Sequence, residues 1–241
     1  INANTTLYAQ WIIEPCFETA SGSLDTTFDG DGKVTTTIGV SDSTATAVVV
    51  QPDGMIVTAG TAFTGSNANF ALARYSPTGA LDTNFDIDGI VFTPIQSVNA
   101  YALAIALQPD GKIIAAGYVN NGPDSDFAVV RYNPNGTLDT TFDGDGIVTT
   151  PVQSLADIAT SVAVQPDGKI VVAGSSESPG YDFAVVRYNA DGSLDLSFDG
   201  DGKVTTPVLS LDDKAYSVLI QPDGKIVAIG TAITSGPTHD I

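Results

Sequence analysis

The chain has 241 residues, 43% of them apolar, and sets 28 acidic against 9 basic side chains for a formal charge of −19. A surface this acidic disfavours nucleic acid and anionic membranes as partners and favours solubility, cations and basic surfaces. A single cysteine, Cys16, excludes an internal disulfide and a cysteine-built metal site, and no apolar run reaches the length of a membrane-spanning helix.

Residues 1–21, INANTTLYAQWIIEPCFETAS, alternate weakly around Thr6, Tyr8 and Gln10 and then meet Pro15, which predicts a short strand followed by a linker. The tract ANTTLYAQW resembles the closing strand of the Listeria-Bacteroides repeat, a small β-rich module found in tandem on bacterial surface proteins. That resemblance implies that residues 1–21 end a preceding module. An ordinary exposed strand accounts for the same residues. No charged and apolar leader precedes Ile1, so any export signal or anchor is expected outside this sequence.

From residue 22 to residue 241 the chain repeats itself. QPDG recurs at Gln51, Gln108, Gln165 and Gln221, and LDxxFDxDG at Leu24, Leu81, Leu138 and Leu194, both with a period of 56 to 57 residues. Each period is then one supersecondary unit that buries its apolar surface against its neighbours. In the third copy we expect strands at Ser161–Gln165, Lys169–Ala173, Asp182–Tyr188 and Lys203–Val208. Pro166, Asp167 and Gly168 predict a bulged hairpin turn between the first two. Apolar residues on both faces of the third strand predict small sheets covered on both sides. Pro207, recurring as Pro94 and Pro151, places the fourth strand at the outer edge and the first near an axis. SLDLSF predicts one tight helical turn that tucks Leu194 and Phe198 under the sheet.

The tracts VAVQPDGKIVVAG, DFAVVRYN and GSLDxxFDGDGKVTT, in this order, resemble the delta-60 repeat, a β-propeller domain of unknown function in large secreted or surface bacterial proteins. The resemblance implies an all-β propeller of four-stranded blades and an extracellular or cell-surface setting, and implies no activity. Closed propellers have about 4 to 8 blades. Here the outer strand Lys33–Ile38 either completes the last blade beside Lys225–Ile229, or the chain forms part of a larger ring, or closes by self-association with a second copy.

Three groups of residues are candidates for chemistry. Asp25, Asp29 and Asp31 recur as Asp82, Asp86 and Asp88, as Asp139, Asp143 and Asp145, and as Asp195, Asp199 and Asp201. Carboxylates two apart around glycine suit Ca²⁺, which takes six to eight oxygens, although the bidentate Glu of an EF-hand is missing. Turn formation explains the same Asp-Gly pairs. The three arginines, Arg74, Arg131 and Arg187, stand at one strand position and are expected to pair with a repeat Asp rather than to bind anions. The loops after the second strand vary between copies, and Phe63, Tyr118 and Tyr181 in them are suited to gripping a sugar or a peptide.

Catalysis finds little support. His239 is the only histidine, so a Ser-His-Asp or Cys-His arrangement cannot be built from an ordered blade set. The aspartates are numerous enough to supply a carboxylate pair for glycoside hydrolysis, but an active site should break the repeat symmetry that these acids obey. We therefore expect a non-enzymatic adhesion or interaction scaffold with protein or glycan partners. A lectin-like propeller is the alternative, and a glycan-active enzyme ranks below it.

Overall fold

The computed structural model describes residues 4–8, 23–178, 180–209, 211–233 and 239–240. The expected linker with Pro15 and Cys16, the core of the fourth variable loop and the side chain of His239 lie outside these. No helix occurs among the described residues. A two-stranded sheet of β1 (Asn4–Tyr8) and β2 (Lys33–Thr37) comes first. Three four-stranded sheets follow: β3 (Ser43–Val50), β4 (Ile56–Phe63), β5 (Ala68–Tyr75) and β6 (Ile90–Thr93); β7 (Ala100–Leu107), β8 (Ile113–Asn121), β9 (Asp124–Tyr132) and β10 (Ile147–Thr150); β11 (Asp157–Val164), β12 (Ile170–Glu177), β13 (Tyr181–Tyr188) and β14 (Lys203–Thr206). A last sheet holds β15 (Asp213–Ile220), β16 (Ile226–Ile233) and β17 (His239–Asp240). Each is an antiparallel meander in chain order, and consecutive sheets stack face to face.

Both faces of each interior sheet are apolar because both are covered. Ile113, Ile114, Ala115 and Ala116 are successive and all fully buried, alternating between the cores on either side. The strand order gives each blade two distinct ends. QPDG hairpins and LDxxFDxDG tracts gather at one, here the turn end; the variable loops and the crossovers to the next blade gather at the other, the loop end. QPDG forms the expected bulged hairpin: Gly54 donates to the Gln51 carbonyl at 2.9 Å, Gln51 N donates to Met55 O at 2.7 Å, and Gly54 has φ 86°.

Each inner strand carries a β-bulge, between Ala45 and Ala47, Ala102 and Ala104, Ala159 and Ser161, and Ala215 and Ser217. The extra residue is put to use at two joints. Thr46 Oγ1 donates to Ala102 O of the next blade at 2.8 Å, and Thr160 Oγ1 to Ala215 O at 2.7 Å. A second joint recurs further out, where Tyr75, Tyr132 and Tyr188, all fully buried, pair their hydroxyls with Thr36, Thr93 and Thr150 on the outer strand of the preceding sheet, at 2.7 to 2.9 Å.

Four expectations need correction. Pro94, Pro151 and Pro207 stand just after the outer strands, where the missing donor ends pairing, rather than within them. SLDLSF is only in part the expected turn: Leu194 is extended and bridges Tyr188, and the one tight turn, closed by Phe198 N donating to Asp195 O at 2.8 Å, goes no further into a helix. First and second strands extend further toward the loop end than alternation predicted, because the bulge interrupts the pattern. Finally, β2 does not sit beside Lys225–Ile229. It pairs with β1 in the register that β6 takes against β5: Leu7 with Val34 as Leu72 with Val91, and Thr5 with Thr36 as Phe70 with Thr93.

Among the described residues, two apolar surfaces stay open: the inner part of the first full blade's outward face, whose outer part Phe28, Val34 and Ile38 cover, and the outward face of the last sheet. Val48 (54% exposed) and Val50 (47%) open from the first full blade, and Leu219 (50%) and Ile229 (58%) from the last. In the third full blade the counterparts of Val48 and Ile229, Val162 (9%) and Ala173 (0%), are inside.

Candidate functional site

The most charged constellation lies at the turn end and is repeated. Arg131 on β9 is 4% exposed and donates through Nε to Asp139 Oδ2 at 2.7 Å, through Nη2 to Thr141 Oγ1 at 3.0 Å, and through Nη1 to the Ala190 carbonyl of the next blade. Its guanidinium lies 4.7 Å from the Phe142 ring centroid. Arg74 repeats this with Asp82, Phe85 and Pro134 O, and Arg187 with Asp195 and Phe198. The expected Arg–Asp pairing is present, and at the first two arginines it also bridges blades. Burial raises the Asp139 carboxyl, but Lys112, Thr141 and Arg131 outweigh it and hold the group well below the usual carboxylate range.

The twelve aspartates of the tract fall into three kinds. The first of each copy, Asp25, Asp82, Asp139 and Asp195, accepts through Oδ1 from the backbone amide two residues on. The second, Asp29, Asp86, Asp143 and Asp199, has φ between 47° and 52°, the left-handed conformation that Asp tolerates. The third, Asp31, Asp88, Asp145 and Asp201, accepts from the amide that opens the outer strand, at 2.8 to 2.9 Å. Turn formation is what these hydrogen bonds express. Among the described residues no three carboxylates, imidazoles or thiols are gathered as a metal would need.

One copy departs from the pattern. Ile87 stands where the other copies have Gly30, Gly144 and Gly200, at φ 82° and 90% exposed. A β-branched residue there is strained and gains no packing in return. Ile87→Gly is expected to stabilise the fold by about 1 kcal/mol, read as a raised denaturant midpoint.

The loop end contains the acids that do break symmetry. At the first position of the inner strand stand Ser43, Ala100, Asp157 and Asp213. Asp157 is fully buried; its Oδ2 accepts from the amides of Val152 and Gln153 at 2.6 and 3.2 Å, pinning the crossover. Asp213 does the same with Val208 and Leu209. Oδ1 of both is buried without a hydrogen-bond partner, as is Ser176 Oγ, which pairs across from Asp157. Burial, aided by Asp126, raises the Asp157 carboxyl, although Ser176 leans close enough to offset part of that. A raised folded-state value means stability present below the ordinary carboxylate range and lost as pH rises. Asp157→Asn, which keeps the two amide acceptances and adds a donor toward Ser176, is expected to raise the melting temperature at pH 7 by about 2–4 °C, with the gain shrinking toward pH 3.

The three aromatic candidates stand at the loop end on three successive blades and are half-buried. Tyr118 stacks on Tyr101, which the sequence reading passed over, with ring centroids 4.9 Å apart at 22°. Tyr181 lies under the Lys214 ammonium of the next blade, 4.2 Å from the ring centroid, and donates its amide to Asp212. Phe63 closes β4 and accepts a hydrogen bond from Val40 N.

The family described as "Domain of unknown function (DUF5122) beta-propeller" matches residues 51–85, 108–142 and 165–198, the span from QPDG to the LDxxF tract in three copies. A protein of unknown function from Dyadobacter fermentans has a similar structure, at 15% identity and a TM-score of 0.51, over 84% of this chain and 62% of that one. The periplasmic gluconolactonase of Pseudomonas aeruginosa follows at 19% identity and 0.45, over 72% and 46%. The endo-arabinase of Bacteroides thetaiotaomicron is similar at 14% and 0.43, over 84% and 73%. The chain thus spans less than two thirds of the first two proteins. No curated protein matches the sequence. The repeated four-stranded sheets and the family match together establish an all-β, β-propeller type of architecture.

Proposed function

We propose that the chain is a non-enzymatic interaction scaffold of an extracellular or cell-surface protein, presenting its loop end to a glycan or protein partner. The observation that carries this reading is the Tyr101–Tyr118 stack. The same pair of positions holds Thr44 and Thr61, Ile158 and Ser175, and Lys214 and Thr231 in the other copies, so the rings are not required to build a blade. Charged groups that recur in every copy are instead engaged in turns and blade joints. Aromatic surface with little conformational freedom is what recognition of sugar or peptide uses.

A glycan array read with the wild type and with Tyr101→Ala/Tyr118→Ala tests the proposal. Binding that falls at least about tenfold in the folded double variant supports a glycan partner. A silent array directs the search to protein partners, and turnover of any array polysaccharide overturns the non-enzymatic reading. Calcium belongs to the proposal as a stabiliser. A saturable rise of the melting midpoint through a calcium series, against chelator, supports metal at the repeated carboxylates, and a flat response leaves them as turn formers.

A further inference from the structure

Asn-Gly occurs twice in the sequence, at Asn121–Gly122 and at Asn135–Gly136, and the second full blade holds both, one at each end. The dipeptide matters chemically because glycine has no Cβ to keep its own amide nitrogen away from the side-chain carbonyl carbon of the asparagine before it. Asn121 closes β8, and Gly122 with Pro123 makes the two-residue connection to β9, where Asn121 stands opposite Asp124. Gly122, at φ 78°, supplies the positive dihedral that such a turn requires at its first position. Residues 121–123 are exposed, and nothing lies within 4 Å of the place a Cβ would take on Gly122. Gly122 N donates to no acceptor among the described residues, and the Asn121 side chain makes one hydrogen bond, from Nδ2 to Asp126 Oδ2 at 3.4 Å. Both reacting groups are free to meet.

Asn135 is held at every point where Asn121 is not. Its Oδ1 accepts from Thr137 N at 3.2 Å and from Thr137 Oγ1 at 2.8 Å, which fixes the side chain. Gly136 N donates to Asn133 O at 2.9 Å, and the Asn135 main-chain carbonyl accepts from Asp86 N of the preceding blade at 2.9 Å. Gly136 is buried, and a Cβ there would meet the Phe85 ring at 3.1 Å. Swinging nitrogen and side chain into line at this site breaks hydrogen bonds and disturbs a blade joint. The same dipeptide therefore stands once in a loose turn and once in a locked one.

We propose that Asn121 is a site of spontaneous deamidation and that the fold confines this reaction to the loop end. Hydroxide takes the Gly122 amide proton, and the nitrogen attacks Asn121 Cγ. A bond forms between Gly122 N and Cγ, the Cγ–Nδ2 bond breaks, and Nδ2 leaves as ammonia with a proton from water. Water then opens the cyclic imide at Cγ to give aspartate, or at the Asn121 main-chain carbonyl to give isoaspartate, which lengthens the backbone by a carbon. No oxidant or reductant enters; the net change takes in water and releases ammonia. Either product adds a carboxylate to a hairpin tip that already carries Asp124 and Asp126, and like charges brought opposite one another weaken strand pairing. That weakening falls on the end of β8 that carries Tyr118, the ring stacked on Tyr101. The reaction itself does not depend on what the loop end binds.

Ageing the chain in mildly alkaline buffer, folded and in guanidinium chloride, tests this. Trypsin cuts after Arg131 and delivers the two sites in separate peptides, so mass spectrometry follows each by the gain of replacing NH₂ with OH, and isoaspartyl methyltransferase reports the rearranged product. Expected are comparable rates at the two sites in guanidinium, and in the folded chain a rate at Asn121 at least about tenfold above that at Asn135. Amide exchange over residues 118–126 should quicken in the aged folded chain. Asn121→Gln, whose extra methylene disfavours the ring, should abolish both changes and leave the Asn135 rate as it was. Equal rates in the folded chain, a faster Asn135, an unmodified Asn121 over a time in which the guanidinium sample converts, or modification that persists in Asn121→Gln overturns the proposal. Unchanged exchange in the modified chain overturns the weakening of the hairpin.

Discussion

Gly174→Ala is expected to cost at least about 4 kcal/mol and to remove most cooperative unfolding of the third blade in a urea titration. A Cβ at residue 174 would lie 1.9 Å from the Ile158 carbonyl oxygen, inside any tolerable contact, and what it meets is backbone, which cannot rotate away. The cause is the bulge, which draws the inner strand over the middle of its partner. Gly60, Gly117 and Gly230 face the carbonyls of Thr44, Tyr101 and Lys214 at the same 1.9 Å. Gly168→Ala provides the control: its Cβ would meet only Ala190 Cβ, at 3.8 Å, so the cost is that of φ 85° alone, about 1–2 kcal/mol. Equal losses at 174 and 168 would show that close approach is not what the bulge glycine relieves.

Arg131→Ala is expected to cost about 3 kcal/mol, because it leaves the buried Asp139 carboxylate with Lys112 as its nearest cation, beside the Thr141 amide and hydroxyl, and strips the Ala190 carbonyl of its donor. The effect should be smaller at Arg187, 17% exposed at its side chain and without a carbonyl contact to another blade among the described residues. Arg131→Lys should recover little, since an ammonium cannot span Asp139, Thr141 and Ala190 O together. The pH dependence is signed. With its folded value depressed, Asp139 contributes stability that is present above the ordinary carboxylate range near 4 and is lost as pH falls through the folded value. The variant should therefore begin acid unfolding at higher pH than the wild type. Unchanged acid limbs in fluorescence-monitored titrations would mean that Lys112 and Thr141 suffice to hold Asp139 in its charged form.

Much of this was legible in the residues. The period, two-sided apolar strands and QPDG turns follow from local chemistry, and so does the pairing of Arg131 with Asp139, eight residues away. What escaped depends on partners in the neighbouring blade. The carbonyl of Ala190 for Arg131 and the hydroxyl of Thr93 for Tyr132 are set by how sheets stack, which alternation does not report. The glycines opposite the bulges were visible as a Gly recurring nine residues after each QPDG glutamine, but the carbonyl each faces belongs to the register of another strand. The loop-end site was half legible: Tyr118 stood out in a variable loop, whereas Tyr101 lies inside a regular strand and declares itself only by pairing with it. Asp157 could have been found by asking which position changes chemistry between copies, since Ser43 and Ala100 precede it in register.

The uncovered faces at Val48 and Val50 and at Leu219 and Ile229 make the two ends of the stack energetically unlike its middle. An interior blade is held by two neighbour couplings and a terminal blade by one, so the chain behaves as a short one-dimensional cooperative array. Amide exchange is expected to slow from the first and last described sheets toward β8 and β9, which hydrogen-exchange mass spectrometry checks. Each further unit stacked on an end adds a full coupling while leaving the number of frayed ends at two, so stability per blade grows with length. Such a stack tightens by growing longer, with no change in the residues of any blade.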